Sequence, residues 1–222
     1  MKILIKFPTK GRKDKFFTTL DTYYKMSNNT ESIHFLVTLD TNDDQMNSDE
    51  VRDKLSEYKN LQFFYGQSFS KINAINRDLE KVSFDWDILL LASDDMIPEI
   101  KGYDDTIIES MKLYFPDTDG VLWFNDGYAG NKLNTLCILG RKYFERFNYI
   151  YYPEYKSVWA DNEFTDVSIR LKKYKYFSNV IIRHQHPDWG FGERDLVHLL
   201  NNSNGGHDSQ LYNLRKFNKF FI

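Results

Sequence analysis

Short apolar runs alternate with helical patterns through the first half of this 222-residue chain. The runs have the length and composition of strands, and the stretches between them carry apolar residues at helical spacing. Strands are predicted at Ile3–Phe7, Ile33–Leu39, Leu61–Tyr65 and Ile88–Ala92, with helices at Lys13–Met26, from Ser48 to Glu57, and at Ser70–Val82. This βαβαβαβ order predicts an α/β protein with a mostly parallel central sheet and helices on both faces.

The second half of the chain is less regular. Its pattern predicts strands at Val121–Phe124, Thr135–Leu139 and Val180–Arg183, with helices at Arg141–Phe147, Asp161–Tyr174 and Asp208–Phe220. We expect one domain made of a first half (about 1–98), a mixed half (about 99–190) and a tail (191–222). A segment rich in Asn and Gly, 201–206, predicts a mobile loop in that tail.

Composition excludes several classes of function. A net charge of −3 provides no general attraction for nucleic acid or an anionic membrane. The single cysteine, Cys137, lies in an apolar run, so no disulfide can form within the chain, as in a reducing cytoplasm. No apolar run approaches the roughly 20 residues of a transmembrane helix. We therefore expect a soluble, cytoplasmic protein without a signal peptide.

Two adjacent carboxylates follow the most apolar strand. Ile88–Ala92 is a run without polar residues, typical of a strand buried on both faces, and Ser93, Asp94 and Asp95 come directly after it. Open α/β sheets bind ligands at the carboxyl ends of their strands. Neighbouring carboxylates repel each other unless a cation or a hydrogen-bond donor lies between them. The pair therefore predicts a ligand or cation site, the alternative being a turn with one solvated acid.

Two further groups of polar residues occur in the second half. Asp161 and Glu163 lie at the start of a predicted helix, where they are candidates for proton transfer or, alternatively, for helix capping. His184 and His186 follow a strand, and alternation places both on one face. They are candidate metal ligands, although one of them could instead anchor the turn at Pro187.

This order of strands, acids and histidines resembles the GT-A fold glycosyltransferases, especially the family-2-like branch, over roughly Lys2 to Pro187. In that family the first half binds a nucleotide sugar, and the second half binds the acceptor and supplies catalytic groups. The resemblance implies a GT-A (Rossmann-like) fold with a mixed acceptor-side region. It also implies metal-dependent transfer of a sugar from a UDP-sugar to the hydroxyl group of a carbohydrate or other acceptor.

The resemblance assigns roles to individual residues. Asp95 would bind Mn²⁺ or Mg²⁺ together with His184 or His186, and Asp161, or as second choice Glu163, would be the catalytic base. The family's metal motif, Asp-x-Asp, begins here with Ser93, which is a departure from its pattern. Residues matching positions that contact the donor are Pro8, Thr9, Lys10, Arg12, Asp40, Lys71, Asn73, Asn76, Ser93 and Asp94.

Simpler structural roles remain open for several of these residues. Gly11 could serve a turn, Asp40 could start an Asx turn, and Lys71 and Asn76 could lie on a solvated helix face. His207 and Asp208 could belong to a lid over the donor or could cap a helix.

Two other functions also remain open. A nucleotidyltransferase would share the nucleotide-binding half, and a non-catalytic nucleotide- or sugar-binding module would explain Ser93. Whether a glycosyltransferase of this kind inverts or retains the anomeric configuration is not decided by the sequence.

Overall fold

The computed structural model describes residues 1–185, 190 and 203–222. Its strands are β1 (Ile3–Pro8), β2 (Ile33–Asp40), β3 (Leu61–Gly66), β4 (Ile88–Leu91), β5 (Met96–Pro98), β6 (Val121–Phe124), β7 (Ile138–Gly140), β8 (Tyr174–Phe177) and β9 (Ile182–His184). Its helices are α1 (Lys13–Met26), α2 (Asp49–Ser56), α3 (Lys71–Asn76), α4 (Tyr103–Tyr114), α5 (Arg141–Glu145), α6 (Ala160–Arg170) and α7 (Gly205–Phe217). Short 3₁₀ turns lie at Thr30–Ser32, Leu79–Lys81 and Lys219–Phe221.

Within the described ranges, seven strands form one sheet in the order β3-β2-β1-β4-β7-β6-β8. The first four, β3, β2, β1 and β4, are parallel, whereas β7 is antiparallel to both of its neighbours, and β6 and β8 run parallel. Strands β5 and β9 form a separate antiparallel pair that places Met96 opposite His184. The predicted mostly parallel sheet is therefore confirmed.

Alternate side chains of the central strands enter two different cores. Ile3, Ile5 and Phe7 of β1 belong to a cluster with residues of α1, α2 and α4. Leu4 faces the other side, where α3, α5, α6 and α7 pack against the sheet. Both faces of the sheet are covered, which explains why its central strands are almost wholly apolar.

Several element boundaries differ from the prediction. Helix α3 ends at Asn76 rather than continuing to Val82, because the chain leaves the helix at Arg77 and Asp78 adopts a left-handed conformation with φ of 71°. Helix α6 ends at Arg170, and Tyr174 instead begins β8 at an edge of the sheet. Helix α4 and strands β5 and β8 were not predicted.

The last helix, α7, starts at Gly205 rather than at Asp208 and ends at Phe217. None of the helices in the described part of the chain combines the length and apolarity required to cross a membrane.

Candidate active site

The turn after β4 separates the two acids of the Ser93-Asp94-Asp95 sequence. Both carboxylates are largely buried, and their side chains have different partners. Asp94 lies 3.0 Å from the guanidinium of Arg12 and 3.8 Å from the amine of Lys15, at the start of α1. Asp95 instead accepts a hydrogen bond from the Ser93 hydroxyl and faces His184 on β9. The adjacent acids therefore serve different parts of the site.

Asp95 and His184 come together through the pairing of β5 with β9. The Asp95 Oδ2 atom lies 3.6 Å from His184 Nε2, and the Gln185 N–H donates to the Asp95 carbonyl at 2.7 Å. Burial alone would raise the pKa of Asp95, but the His184 imidazole, the Ser93 hydroxyl and the charge of Lys71 outweigh it and hold that pKa well below its usual range. Asp95 is therefore a carboxylate throughout the physiological range.

Asp161 lies on the first turn of α6 and is half-buried. It is not the N-cap, a position occupied by Trp159 with a φ of 64°, and its Oδ1 atom accepts the Asn162 N–H at 3.0 Å. Burial raises the pKa of Asp161, although the charges of Lys71 and His184 act in the opposite direction. A carboxylate with a raised pKa is a better proton acceptor than one at the ordinary value.

Lys71 acts electrostatically on both Asp95 and Asp161. It is the exposed first residue of α3, and its charge lowers the pKa values of both Asp95 and Asp161. The structure thus brings Lys71, Asp95, Asp161 and His184 into one electrostatic environment. They come from four separate segments of the chain.

The loop after β1 lies beside this group. Its residue Arg12 binds Asp94, so two of the predicted donor ligands pair with each other. Gly11 has a φ of 66°, and its N–H donates to the buried carboxylate of Asp43 at 2.6 Å. Asp43, which the sequence analysis did not single out, therefore fixes the loop. Its position in an Asp-rich turn was the feature of the sequence that could have indicated this role.

Asp40 lies at the end of β2 and is buried. Its carboxylate lies 2.9 Å from the Lys10 amine and 3.5 Å from the Arg77 guanidinium. The neighbouring Thr9 hydroxyl is buried and has no hydrogen-bond partner among the described residues. Pro8 ends β1 opposite Thr38.

Glu163, the second-choice catalytic base of the sequence analysis, is bound by other side chains at both of its carboxylate oxygens. Its two carboxylate oxygens bind the Arg215 guanidinium at 2.7 and 2.9 Å, and the Tyr155 hydroxyl donates to it at 2.9 Å. The residue is buried and joins α6 to α7. Asp161 and Glu163 differ in their surroundings because residues two apart on a helix point in different directions.

The two asparagines of α3 also have structural partners. The Asn76 amide donates to the Tyr151 carbonyl at 2.6 Å and accepts the N–H groups of Ile150 and Tyr151, so it holds the aromatic loop. Asn73 accepts the Phe69 N–H at 3.3 Å, next to the Ser70 cap. The predicted role of Asn76 in donor binding stays a prediction.

Asp208 is a buried anchor and not part of an exposed lid. Its carboxylate accepts the backbone N–H groups of Lys156, Ser157 and Val158 at 2.8 to 3.0 Å. These residues lead directly into α6, so Asp208 fixes the approach to Asp161. Nothing in the sequence distinguishes this acid from an ordinary helix cap.

The residues present can contribute to a divalent-cation site without forming a complete one. Within the described ranges, no three His, Cys, Asp or Glu side chains converge as a metal-binding cluster. Cation–ligand distances of about 2 Å allow two atoms 3.6 Å apart, such as Asp95 Oδ2 and His184 Nε2, to bind one ion. Cations of this kind commonly take their remaining ligands from substrate phosphates and water. The other candidate ligand, His186, lies outside the described residues.

Comparisons with known proteins agree with this architecture. No family model matches the sequence, and no curated protein is significantly similar to it. Among solved structures, the mannosyltransferase PcManGT from Pyrobaculum calidifontis, in complex with GDP-Man and Mn²⁺, superposes with a TM-score of 0.63 at 15% identity, over 81% of this chain and 55% of that one. TarS 1–349 from S. aureus, in complex with UDP-GlcNAc, superposes with a TM-score of 0.66 at 15% identity, over 82% of this chain and 58% of that one.

A third neighbour belongs to a different class. The 4-diphosphocytidyl-2C-methyl-D-erythritolsynthase from Anaerococcus prevotii has a TM-score of 0.57 at 12% identity, over 79% of this chain and 86% of that one. This chain spans between 36% and 60% of the PcManGT and TarS chains that it matches.

The topology and these superpositions show a GT-A fold, which this chain shares with the glycosyltransferases PcManGT and TarS.

Proposed function

We propose that this protein is a metal-dependent glycosyltransferase that moves a sugar from a UDP-sugar to a hydroxyl group of a carbohydrate or other acceptor. The observation that carries the proposal is the grouping of Lys71, Asp95, Asp161 and His184 beside the carboxyl ends of the parallel strands. In a GT-A fold this edge of the sheet is where ligands bind. The nucleotide sugars bound to PcManGT and TarS support the same substrate class.

The donor would lie across the ends of β1, β2 and β4. In this arrangement Asp40 receives the nucleoside end, while Arg12 and Lys71 face the diphosphate. Asp95 and His184 would hold Mn²⁺ or Mg²⁺, which when bound neutralises charge on the diphosphate. Because Asp94 is engaged by Arg12, it would mainly orient that guanidinium rather than contact a sugar hydroxyl.

Asp161 would accept the proton from the acceptor hydroxyl. The acceptor oxygen then forms a bond to the anomeric carbon as the bond from that carbon to the diphosphate oxygen breaks, and UDP leaves. The raised pKa of Asp161 suits this role. A single displacement of this kind inverts the anomeric configuration.

The direct test measures UDP binding with and without Mn²⁺ and then measures slow hydrolysis across a panel of nucleotide sugars. We expect binding that requires the metal and hydrolysis of a UDP-sugar. UDP binding that is indifferent to Mn²⁺ would refute the metal dependence. Sugar binding without nucleotide or turnover would instead identify a non-catalytic module.

A nucleotidyltransferase is the second candidate, because the synthase neighbour matches over most of its length. Such an enzyme would release pyrophosphate from a nucleoside triphosphate. Incubation with each of the four nucleoside triphosphates and a sugar phosphate, followed by a pyrophosphate assay, separates the two classes. We expect no pyrophosphate.

A further inference from the structure

Arg77 is a largely buried cation at the proposed nucleoside end of the site. It follows α3, and its side chain is only 15% exposed. The Nη2 atom donates to the Leu39 carbonyl and lies 3.5 Å from Asp40 Oδ1, while Nη1 lies 3.8 Å from Asp78 Oδ2. Arg77 thus ties the end of α3 to the end of β2.

Gly66 makes this contact possible. It is paired with Asp40 across β2 and β3, and a Cβ atom placed on it would lie 1.9 Å from Arg77 Nη1. The guanidinium therefore occupies the space that any other residue would fill with its side chain. The requirement for glycine here is one of space, since the backbone of Gly66 does not have a positive φ.

The two oxygens of Asp40 have different partners. Oδ1 faces the largely buried Arg77, whereas Oδ2 binds the amine of Lys10, whose side chain is 51% exposed. Lys10 lies on the loop at the mouth of the site and can move at little cost, but Arg77 is held by the Leu39 carbonyl as well. Asp40 therefore has one fixed partner and one exchangeable partner.

We propose that Arg77 is a positioning residue that fixes the Asp40 carboxylate for the nucleoside part of the donor, and that Gly66 is required to admit it. The inference deepens the proposed function and rests on it. When one oxygen of a carboxylate is held, the other oxygen points in a defined direction. An N–H or O–H group of the nucleoside can then donate to that oxygen without the entropic cost of first ordering the carboxylate. Arg77 acts only through Asp40.

The test is a double-mutant cycle on Arg77→Lys and Asp40→Asn, read by calorimetric titration with three probes. These are UDP with Mn²⁺, uridine monophosphate, and inorganic pyrophosphate with Mn²⁺. A Lys side chain cannot bind both the Leu39 carbonyl and Asp40 with the geometry of a guanidinium. We expect Arg77→Lys to weaken both uridine nucleotides about 10-fold and to leave pyrophosphate unchanged.

Because Arg77 acts through Asp40, the double variant should bind no more weakly than Asp40→Asn alone. In the hydrolysis assay, the donor KM of Arg77→Lys should rise while kcat stays constant. Gly66→Ala, which adds one methyl group against a flexible side chain, should reproduce these effects. Arg146→Lys is the matched control, because Arg146 binds the buried Asp119 through a comparable ion pair elsewhere and should leave all three affinities unchanged.

Additive effects of the two substitutions, or equal weakening of pyrophosphate, would overturn the inference and leave the proposed function standing. If Arg77→Lys does not fold, Gly66→Ala decides, and normal UDP affinity in that variant overturns the inference. Failure of the unmodified protein to bind UDP in the presence of Mn²⁺ would overturn the proposed function, and with it the role given to Asp40.

Discussion

The proposed donor side and the proposed acceptor side of the candidate site are held in place by different means. On the donor side, Asp40 ends β2, and Arg12 and Asp95 follow β1 and β4 within a few residues, so the sheet itself positions them. On the acceptor side, Asp161 depends on a loop that Asp208 fixes from α7, about 50 residues further along the chain. The strand ends that position the first group can therefore be predicted from local sequence, whereas the distant side chain that supports Asp161 cannot.

The largest expected effect is a loss of stability when Glu163, which joins α6 to α7, is replaced. Glu163→Gln leaves the buried Arg215 guanidinium without its counter-charge, and removing one partner of such a pair costs about 3–5 kcal/mol of stability. Chemical denaturation should show this loss. Replacing both residues together by Leu and Met should recover most of it. A stable Glu163→Gln variant with lost turnover would instead restore Glu163 as the catalytic base.

The next effect separates chemistry from structure on the same helix. Asp161→Asn keeps the size of the side chain and an oxygen for the Asn162 N–H, but removes the proton acceptor. Transfer should fall by roughly 100-fold or more, with thermal stability and Mn²⁺–UDP affinity unchanged. The control is Asp166→Asn on the same helix, since Asp166 contacts Tyr212 and Lys216. Normal turnover by Asp161→Asn would reduce Asp161 to a structural residue.

On the donor side, the two neighbouring acids should respond differently. Asp95→Asn removes a carboxylate that faces His184, and metal-dependent UDP binding should weaken by at least about 10-fold. Asp94→Asn should weaken UDP binding less, because its loss acts through Arg12. Calorimetric titration of both variants with Mn²⁺ and UDP checks this order. Equal losses would show that the adjacent acids share one role.

A separate, pH-dependent effect on stability concerns Lys6, a fully buried amine within β1 on the donor side. Burial lowers the pKa of Lys6 to about 7, although the nearby Asp78 carboxylate partly offsets this. Because the pKa is lower in the folded state, the unfolded chain binds more protons above pH 7. The free energy of unfolding should therefore rise with pH above about 7, by at most about 1.4 kcal/mol per pH unit.

Lys6→Met should remove this pH dependence. Urea titrations between about pH 6.5 and pH 9 compare the two proteins over the range in which the folded-state amine loses its proton. If the free energy of unfolding of the Lys6→Met variant still rose with pH at the same slope, the titrating group would be a residue other than Lys6.

The sequence by itself determined the parallel half of the sheet and the residues at its carboxyl edge. Apolar runs such as Ile88–Ala92 carry this information locally, because a strand buried on both faces is composed mainly of apolar residues. The end of a strand then fixes where the next polar residues lie, as it does for Asp40 and Asp95.

Only the tertiary structure decided which polar side chains remain available for chemistry. In the sequence, Glu163, Asn76 and Asp208 look like ligand-binding residues, because they are acidic or amide side chains near helix ends. In the structure, each is bound to a segment about 50 to 75 residues away. The same applies to Arg77, whose contact with Asp40 requires the space above Gly66. A polar side chain is satisfied by whichever partner the fold brings near it, and the local sequence does not record that partner.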